Sequence, residues 1–394
     1  MSRRPIARSV DLKRLQDEGY DIDAVDGYLV MRHVPYLTDK REVKYGTLAA
    51  KLVLADDVTC TPDNHVAIFA GEYPCHKDGL PIERIRSGAA NVKIDGVEFN
   101  WSFSAKPKPR DNYENYYTKF STYVDILGGP VHAIDLRATA KTFPVVTPDE
   151  EEESIFLYED TASSRADIVE VSMKLRLHRV AIVGVGGTGS YVLDLVAKVP
   201  VREIHLFDSD VFLQHNAFRS PGAASGDELR EKLPKVKYFE RIYSKMRRGI
   251  VAHVERLDTK NLDLLAGMDF VFLCMEGRGK KEIVIRLEQQ GTPFIDVGMG
   301  VFLKNGALGG LLRTTTSTPK KRDHVAARNR ISFSDNDDKN EYDQNIQIAD
   351  LNALNAAFAI IKWKKLFGFY IDDEREHYSV YAIGGNDINN GDPE

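Results

Sequence analysis

Residues 179–220 restrict the fold of this chain more than any other stretch. Arg179–Val183 is a short apolar run that reads as a strand. It leads into Gly184-Val185-Gly186-Gly187-Thr188-Gly189-Ser190, and residues 191–199 continue with an apolar helical pattern. A second strand, Glu203–Phe207, ends at Asp208-Ser209-Asp210. Strand, glycine-rich turn, helix, strand and acid in this order make the first half of a nucleotide-binding βαβ unit. Gly184 permits the tight turn, Gly186 lets the backbone approach a phosphate, and Gly189 lets the helix pack close to the strand. The helix start then offers free N–H groups to an anion. Asp208 follows the last glycine by about 20 residues, the place where a carboxylate meets ribose hydroxyls. The alternative reading of the same glycines is a tight turn with a purely structural task.

The rest of the chain sets the context. Its 394 residues suffice for two domains and a large core. A formal net charge of −6 argues against a general nucleic-acid or membrane-surface binder. No apolar run is long enough to span a bilayer, and the basic start, MSRRPIARS, lacks the apolar core of a secretory leader. Three cysteines, Cys60, Cys75 and Cys274, cannot build a disulfide framework, so a reducing cytoplasm is the expected compartment. No C-x-x-C pair suggests a cysteine-type zinc site.

Residues 1–140 read as a smaller accessory α+β domain. Residues 12–25 suggest a short helix, 27–31 a strand, 46–54 a helix and 65–69 a strand. Residues 92–101 alternate as a hairpin around Asp95-Gly96. Tyr113, Tyr116, Tyr117, Phe120 and Tyr123 follow helical spacing and read as core packing. Residues 141–165, with the acidic run 149–153, read as a solvated linker. From 166 to 384, helical patterns at 227–246, 261–265 and 280–290 alternate with apolar strands at 251–257, 270–275 and 294–297, which predicts a doubly wound α/β domain. A hairpin through Asn305-Gly306 follows. Residues 317–345 read as a long mobile loop, and residues 348–367 as an amphipathic helix burying Leu351, Leu354, Phe358, Ile361 and Leu366. Residues 385–394 read as a flexible tail.

The residues after Asp208 separate two kinds of nucleotide enzyme. A dinucleotide oxidoreductase accounts for the glycines and Asp208 but gives no role to Asn216, Arg219 or Lys235. The set G-x-G-G-x-G-S at 184–190, D-x-D at Asp208 and Asp210, Asn-x-x-Arg at Asn216 and Arg219, and a following Pro-Lys at Pro234-Lys235 resembles the ThiF/MoeB superfamily, which includes the ubiquitin-activating enzymes. The resemblance covers residues 165–367. It implies a Rossmann-like adenylation domain that binds ATP and Mg²⁺ and joins AMP to the C-terminal carboxylate of a ubiquitin-like, β-grasp protein ending in glycine. It implies Gly184, Gly186, Gly187, Gly189, Ser190, Asp208 and Asp210 around the nucleotide, and Asn216, Arg219 and Lys235 as the catalytic residues. It also implies a homodimer, with Arg165 reaching the partner's site, and possible traffic with a conjugating enzyme. The compact form looks more prokaryotic than eukaryotic.

Three departures from the family pattern stand out. Ser220 replaces a glutamine, the connection before Lys235 is longer, and Met275-Glu276-Gly277 stands where the family has T-D-N, so that Glu276 with Asp210 becomes the candidate Mg²⁺ set. Cys75, on a turn beside His76, is the candidate for a covalent thioester, although core packing is the plainer reading for all three cysteines. Two other functions stay open on the sequence: a non-catalytic, nucleotide-binding scaffold subunit, and a sulfur-carrier activating enzyme.

Overall fold

The computed structural model describes residues 4–147, 154–277, 279–333 and 346–394. The acidic run at 149–153, and residues 334–345 of the long loop, lie outside them. The chain divides into two compact units: 1–153 with 158–167, and 154–157 with 168–394.

The first unit is a six-stranded antiparallel sheet covered by helices. After helix α1 (Val10–Asp17) come β1 (Ile22–Val25), β2 (Tyr28–Leu37), β3 (Val43–Lys51), β4 (Val66–Ala70), β5 (Arg86–Ile94) and β6 (Val97–Ser104), in the order β1-β2-β3-β4-β6-β5. Helix α2 (Tyr116–His132) begins at Asn115, whose side chain accepts the Thr118 N–H at 2.8 Å. It buries Tyr116, Phe120, Tyr123, Leu127 and Val131, one stripe at helical spacing. The tyrosines keep their hydroxyls paired: Tyr116 donates to the Lys51 carbonyl at 2.8 Å, and Tyr123 to that of His65 at 2.6 Å. The aromatic run is therefore core, as its spacing predicts.

Three local expectations fail in this unit. The helix expected over 12–25 stops at Asp17, and Ile22–Val25 is strand because it pairs with β2. Residues 46–51 are strand, not helix, because β3 is paired on both sides, by β2 and β4. Gly46 lets the Phe69 ring pass, since a Cβ there would meet it at 2.3 Å. Sheet burial overrides the helix propensity of Leu48-Ala49-Ala50, all buried. Nor is 141–165 a simple linker. Phe156 pairs with Arg247 of the second unit's own fold, whereas the short helix Thr161–Arg165, capped by Asp160, belongs to the first unit.

The second unit carries β7 (Arg179–Val183), α3 (Gly187–Ala197), β8 (Glu203–Phe207), α4 (Lys235–Tyr243), β9 (Ile250–His253), β10 (Phe270–Leu273), α5 (Lys280–Gln290), β11 (Phe294–Lys304), β12 (Ala307–Ser317), α6 (Ala349–Leu366), β13 (Glu376–Ala382) and β14 (Asp387–Pro393). The sheet order is β9-β8-β7-β10-β11-β12-β13-β14. The first five strands are parallel, and the last three are added antiparallel. The doubly wound expectation holds. Strand order reverses between β7 and β10, and ligands of such sheets bind outside the carboxyl ends of the strands at that reversal.

The pattern at 227–246 resolves into two helices because Pro234 interrupts it; Gly226–Arg230 ends before it and α4 begins after it. Helix α6 buries Asn352, Asn355, Ala356, Ala359, Ile360 and Trp363 rather than the leucine stripe, and Ile361 is exposed. Its close approach to the glycine turn puts Asn352 against Gly187, and the same face continues through Ala356 and Ala359 to Ile360 and Trp363 in the core. Residues 385–394 are not a loose tail: β14 pairs with β13, and buried Asp392 receives Arg328 and Arg330. Its polarity reflects an outermost sheet position, where charge is expected. Within 317–345, residues Asp323–Ala327 form a helical turn.

Candidate functional site

The carboxyl ends of β7, β8 and β10 gather the predicted residues. Gly184 has φ +87°, and a Cβ there would lie 2.8 Å from the Cys274 carbonyl oxygen. A Cβ on Gly189 would lie 1.8 Å from the Gly184 carbonyl oxygen, so α3 can pack on β7 only through glycine. Gly186 meets nothing within 4 Å, which leaves its backbone open on that side. Gly187 faces Asn352, 2.2 Å from a built Cβ. Ser190 departs from the expected role: its fully buried hydroxyl donates to the Gly187 carbonyl at 2.7 Å and closes the first turn of α3.

Asp208 is built into this turn. Its carboxylate accepts the Val185 N–H at 3.0 Å and the Asp210 N–H at 2.9 Å. Lys235, the first residue of α4, is placed by its own N–H on the Asp210 carbonyl at 2.8 Å. Its ammonium lies 2.6 Å from Asp210 and 3.5 Å from Asp208. The Lys235 and Asp208 side chains are 7% and 9% exposed, and that of Asp210 is 54% exposed. Burial pushes the Asp208 carboxyl up, with Lys235 and the two N–H donors opposing it.

Asn216 and Arg219 follow on the short helix Gln214–Ala217 and the turn after it. Asn216 is 2% exposed; its Oδ1 accepts the Leu213 N–H at 2.9 Å, while its Nδ2 has no partner among the described residues. The buried Nε of Arg219 likewise has none. His215 between them is held below the ordinary imidazole range by burial and by the Arg219 and Lys235 cations, which marks the region as electropositive.

Glu276, Arg165 and the cysteines remain. Glu276 is exposed in the loop after β10. Among the described residues no group of three or more His, Cys, Asp or Glu side chains is placed to hold a metal. Arg165 ends its helix in the first unit, with its guanidinium 5.5 Å from the centre of the Phe143 ring. Cys75 is 2% exposed, its thiol directed at the Tyr73 carbonyl at 3.4 Å and pushed up by burial and by Asp39, Asp78 and Glu72, which disfavours a thiolate nucleophile. Cys274 is likewise pushed up by burial and by Asp296.

Two features escape sequence reasoning. Asn352 of α6 accepts from the Thr188 hydroxyl at 3.0 Å and donates to the Arg219 carbonyl at 3.4 Å, tying the glycine turn to the arginine segment. Its only sequence signal is a polar residue inside an apolar helix. Asp296 of β11, fully buried, receives Lys280 at 2.6 Å and Arg313 at 2.5 Å.

Comparison with known proteins adds the following. The ThiF family matches residues 163–361, and a domain of unknown function, DUF6791, matches residues 10–161. No curated protein matches the chain. Among solved structures, PaaA is similar at 18% identity and TM-score 0.44, over 57% of this chain and 75% of that one. MccB of E. coli with MccA-N7isoASN is similar at 16% identity and TM-score 0.44, over 57% and 67%. MccB of E. coli with ATP is similar at 17% identity and TM-score 0.40, over 58% and 68%.

Proposed function

The chain belongs to the ThiF family, whose fold is that of adenylating enzymes, and from that premise we propose that it activates the C-terminal carboxylate of a ubiquitin-like protein with ATP. The observation that carries the reading is the pair of buried donors, Asn216 Nδ2 and Arg219 Nε, that lack acceptors among the described residues beside a glycine turn and a buried lysine. Such donors are costly unless an acceptor arrives, and phosphate oxygens suit them.

In this reading Asp208 accepts from the ribose, and the open backbone at Gly186 with the start of α3 receives phosphate oxygens. The substrate carboxylate attacks the α-phosphorus, one P–O bond forms, the α–β bridging P–O bond breaks, and pyrophosphate leaves. Arg219 and Lys235 oppose the negative charge that crowds this step. Lys235 has three donors, so it can hold both aspartates and still offer one. Asp210 and Glu276, in the loops after β8 and β10, would supply the hard oxygen donors that Mg²⁺ prefers, and that ion would neutralise phosphate charge. The twofold assembly, with Arg165 reaching across it, is part of the same proposal. No helix among the described residues is long and apolar enough to cross a membrane.

The test is ATP–pyrophosphate exchange with candidate ubiquitin-like proteins, alongside Arg219→Ala and Lys235→Ala. Exchange that needs the partner's terminal glycine and both side chains is expected. ATP binding without exchange for any partner would remove the catalytic reading and leave a nucleotide-binding scaffold.

A further inference from the structure

The Asp296 cluster holds more positive charge than its own carboxylate answers. Lys280 and Arg313 both point to Asp296; their side chains are 5%, 19% and 0% exposed respectively for Lys280, Arg313 and Asp296. Among the described residues this makes two cations against one anion. Among the described residues the buried Nε of Arg313 has no partner, nor has the buried Oδ1 of Asn355, whose amide donates to the Gly298 carbonyl at 3.2 Å. A buried uncompensated charge is strongly unfavourable unless a second anion completes it.

The fold places this cluster at the candidate site. Phe207, Val183, Leu273 and Asp296 are register partners in one row across β8, β7, β10 and β11. The residues that follow the first three in the chain are Asp208, Gly184 and Cys274. Asp296 therefore stands at the same sheet edge as the nucleotide carboxylate, three strand spacings or roughly 14 Å away. Arg313 pairs with Gly298, two residues further along β11, where β10 has ended. Gly298 keeps the path clear: a Cβ there would lie 2.7 Å from the guanidinium.

We propose that Arg313, held by Asp296 and flanked by Lys280, binds the carboxylate of the acyl substrate and so selects chains that end in a free carboxylate. This rests on the adenylation reading for the identity of the anion. The fork geometry suits it, because a guanidinium fixed on one edge by Asp296 presents its remaining N–H groups to a second planar carboxylate. The orphan Nε is one of them.

The test uses the full chain and a synthetic peptide ending in Gly-Gly, as free carboxylate and as carboxamide. Affinities are measured with and without an ATP analogue carrying a methylene between the α- and β-phosphorus. The wild type is expected to prefer the carboxylate by about tenfold or more, the effect of one charge-assisted hydrogen bond. Arg313→Gln should abolish the preference while leaving affinity for the analogue within twofold. Its melting temperature should hold, since Lys280 and Asp296 remain as a neutral pair. Arg313→Lys, which keeps the charge but loses the fork, should reduce the preference. Equal affinity of the wild type for both peptides, or a preference that survives in Arg313→Gln, overturns the proposal. So does a loss of analogue affinity in Arg313→Gln, which would assign the anion to phosphate. A carboxylate preference that depends on Arg313 in a protein that does not bind the analogue supports the anion site and sinks the adenylation reading instead.

Discussion

Replacing Lys235 with methionine tests whether the lysine is the counter-charge that keeps Asp208 ionised. The two side chains are almost fully enclosed, so the change leaves a buried carboxylate without its cation. Breaking a buried pair in this way costs about 3–5 kcal/mol. Asp208 retains the N–H groups of Val185 and Asp210, which places the expected loss at the lower end, about 3 kcal/mol. The half-exposed Asp210 arm adds less than about 1 kcal/mol. The loss must depend on pH. Burial already raises the Asp208 carboxyl in the wild type, and removing Lys235 raises it further. A carboxyl whose folded value lies above its unfolded one favours the fold at low pH, and that contribution is lost as pH rises through the folded value. The deficit of Lys235→Met should therefore be largest at pH 8 and shrink toward pH 5. Urea unfolding in a Trp101→Phe background reads this unit alone, because Trp363, fully buried against the second core, is then the remaining tryptophan. Adding Asp208→Asn should recover at least half of the loss. A deficit below about 1 kcal/mol at pH 8, or one independent of pH, would refute the reasoning.

Three further outcomes are expected. Gly189→Ala should lower the melting temperature and abolish ATP binding, because its Cβ would press on the Gly184 carbonyl; Gly186→Ala, with open space, should fold normally and weaken only nucleotide binding. Equal effects of the two would contradict the assignment of separate tasks. Lys119 is fully buried on α2, donates to the Asn64 carbonyl at 3.0 Å, and is lowered by burial to about 8. The fold thus favours the neutral amine, its penalty of about 3 kcal/mol is complete below pH 8, and it fades as pH rises toward the unfolded value near 10.4. Measured by Trp101 fluorescence in a Trp363→Phe background, the stability gap between wild type and Lys119→Met should narrow from pH 8 to pH 10, and a constant gap would disprove it. Iodoacetamide should label exposed Cys60 well before buried Cys75 and Cys274, and rapid loss of the Cys75 thiol in the native protein would restore its candidacy as a nucleophile.

What the sequence by itself determined was local and periodic. The order of β7, glycine turn, α3 and β8, the aromatic stripe of α2, and the Asp208–Asp210 and Asn216–Arg219 spacings are all written in neighbouring residues. Short-range sterics and periodicity decide such features. The tertiary structure decided what depends on residues far apart in the chain. Residues 46–51 became strand because β2 and β4 flank them. The polar end of the chain became β14 because β13 and the arginines at 328 and 330 offered it partners. Leu351 and Leu354 of α6 lie beside its buried face, which Asn352 sets by packing on Gly187. Ser190 closes its own helix turn, and Cys75 is sealed, because packing rather than residue type sets which atoms face solvent. The joining of Lys280, Asp296 and Arg313, drawn from one helix and two strands, has no trace in local pattern at all. Burial and charge balance are properties of the assembled sheet, and there the sequence alone is silent.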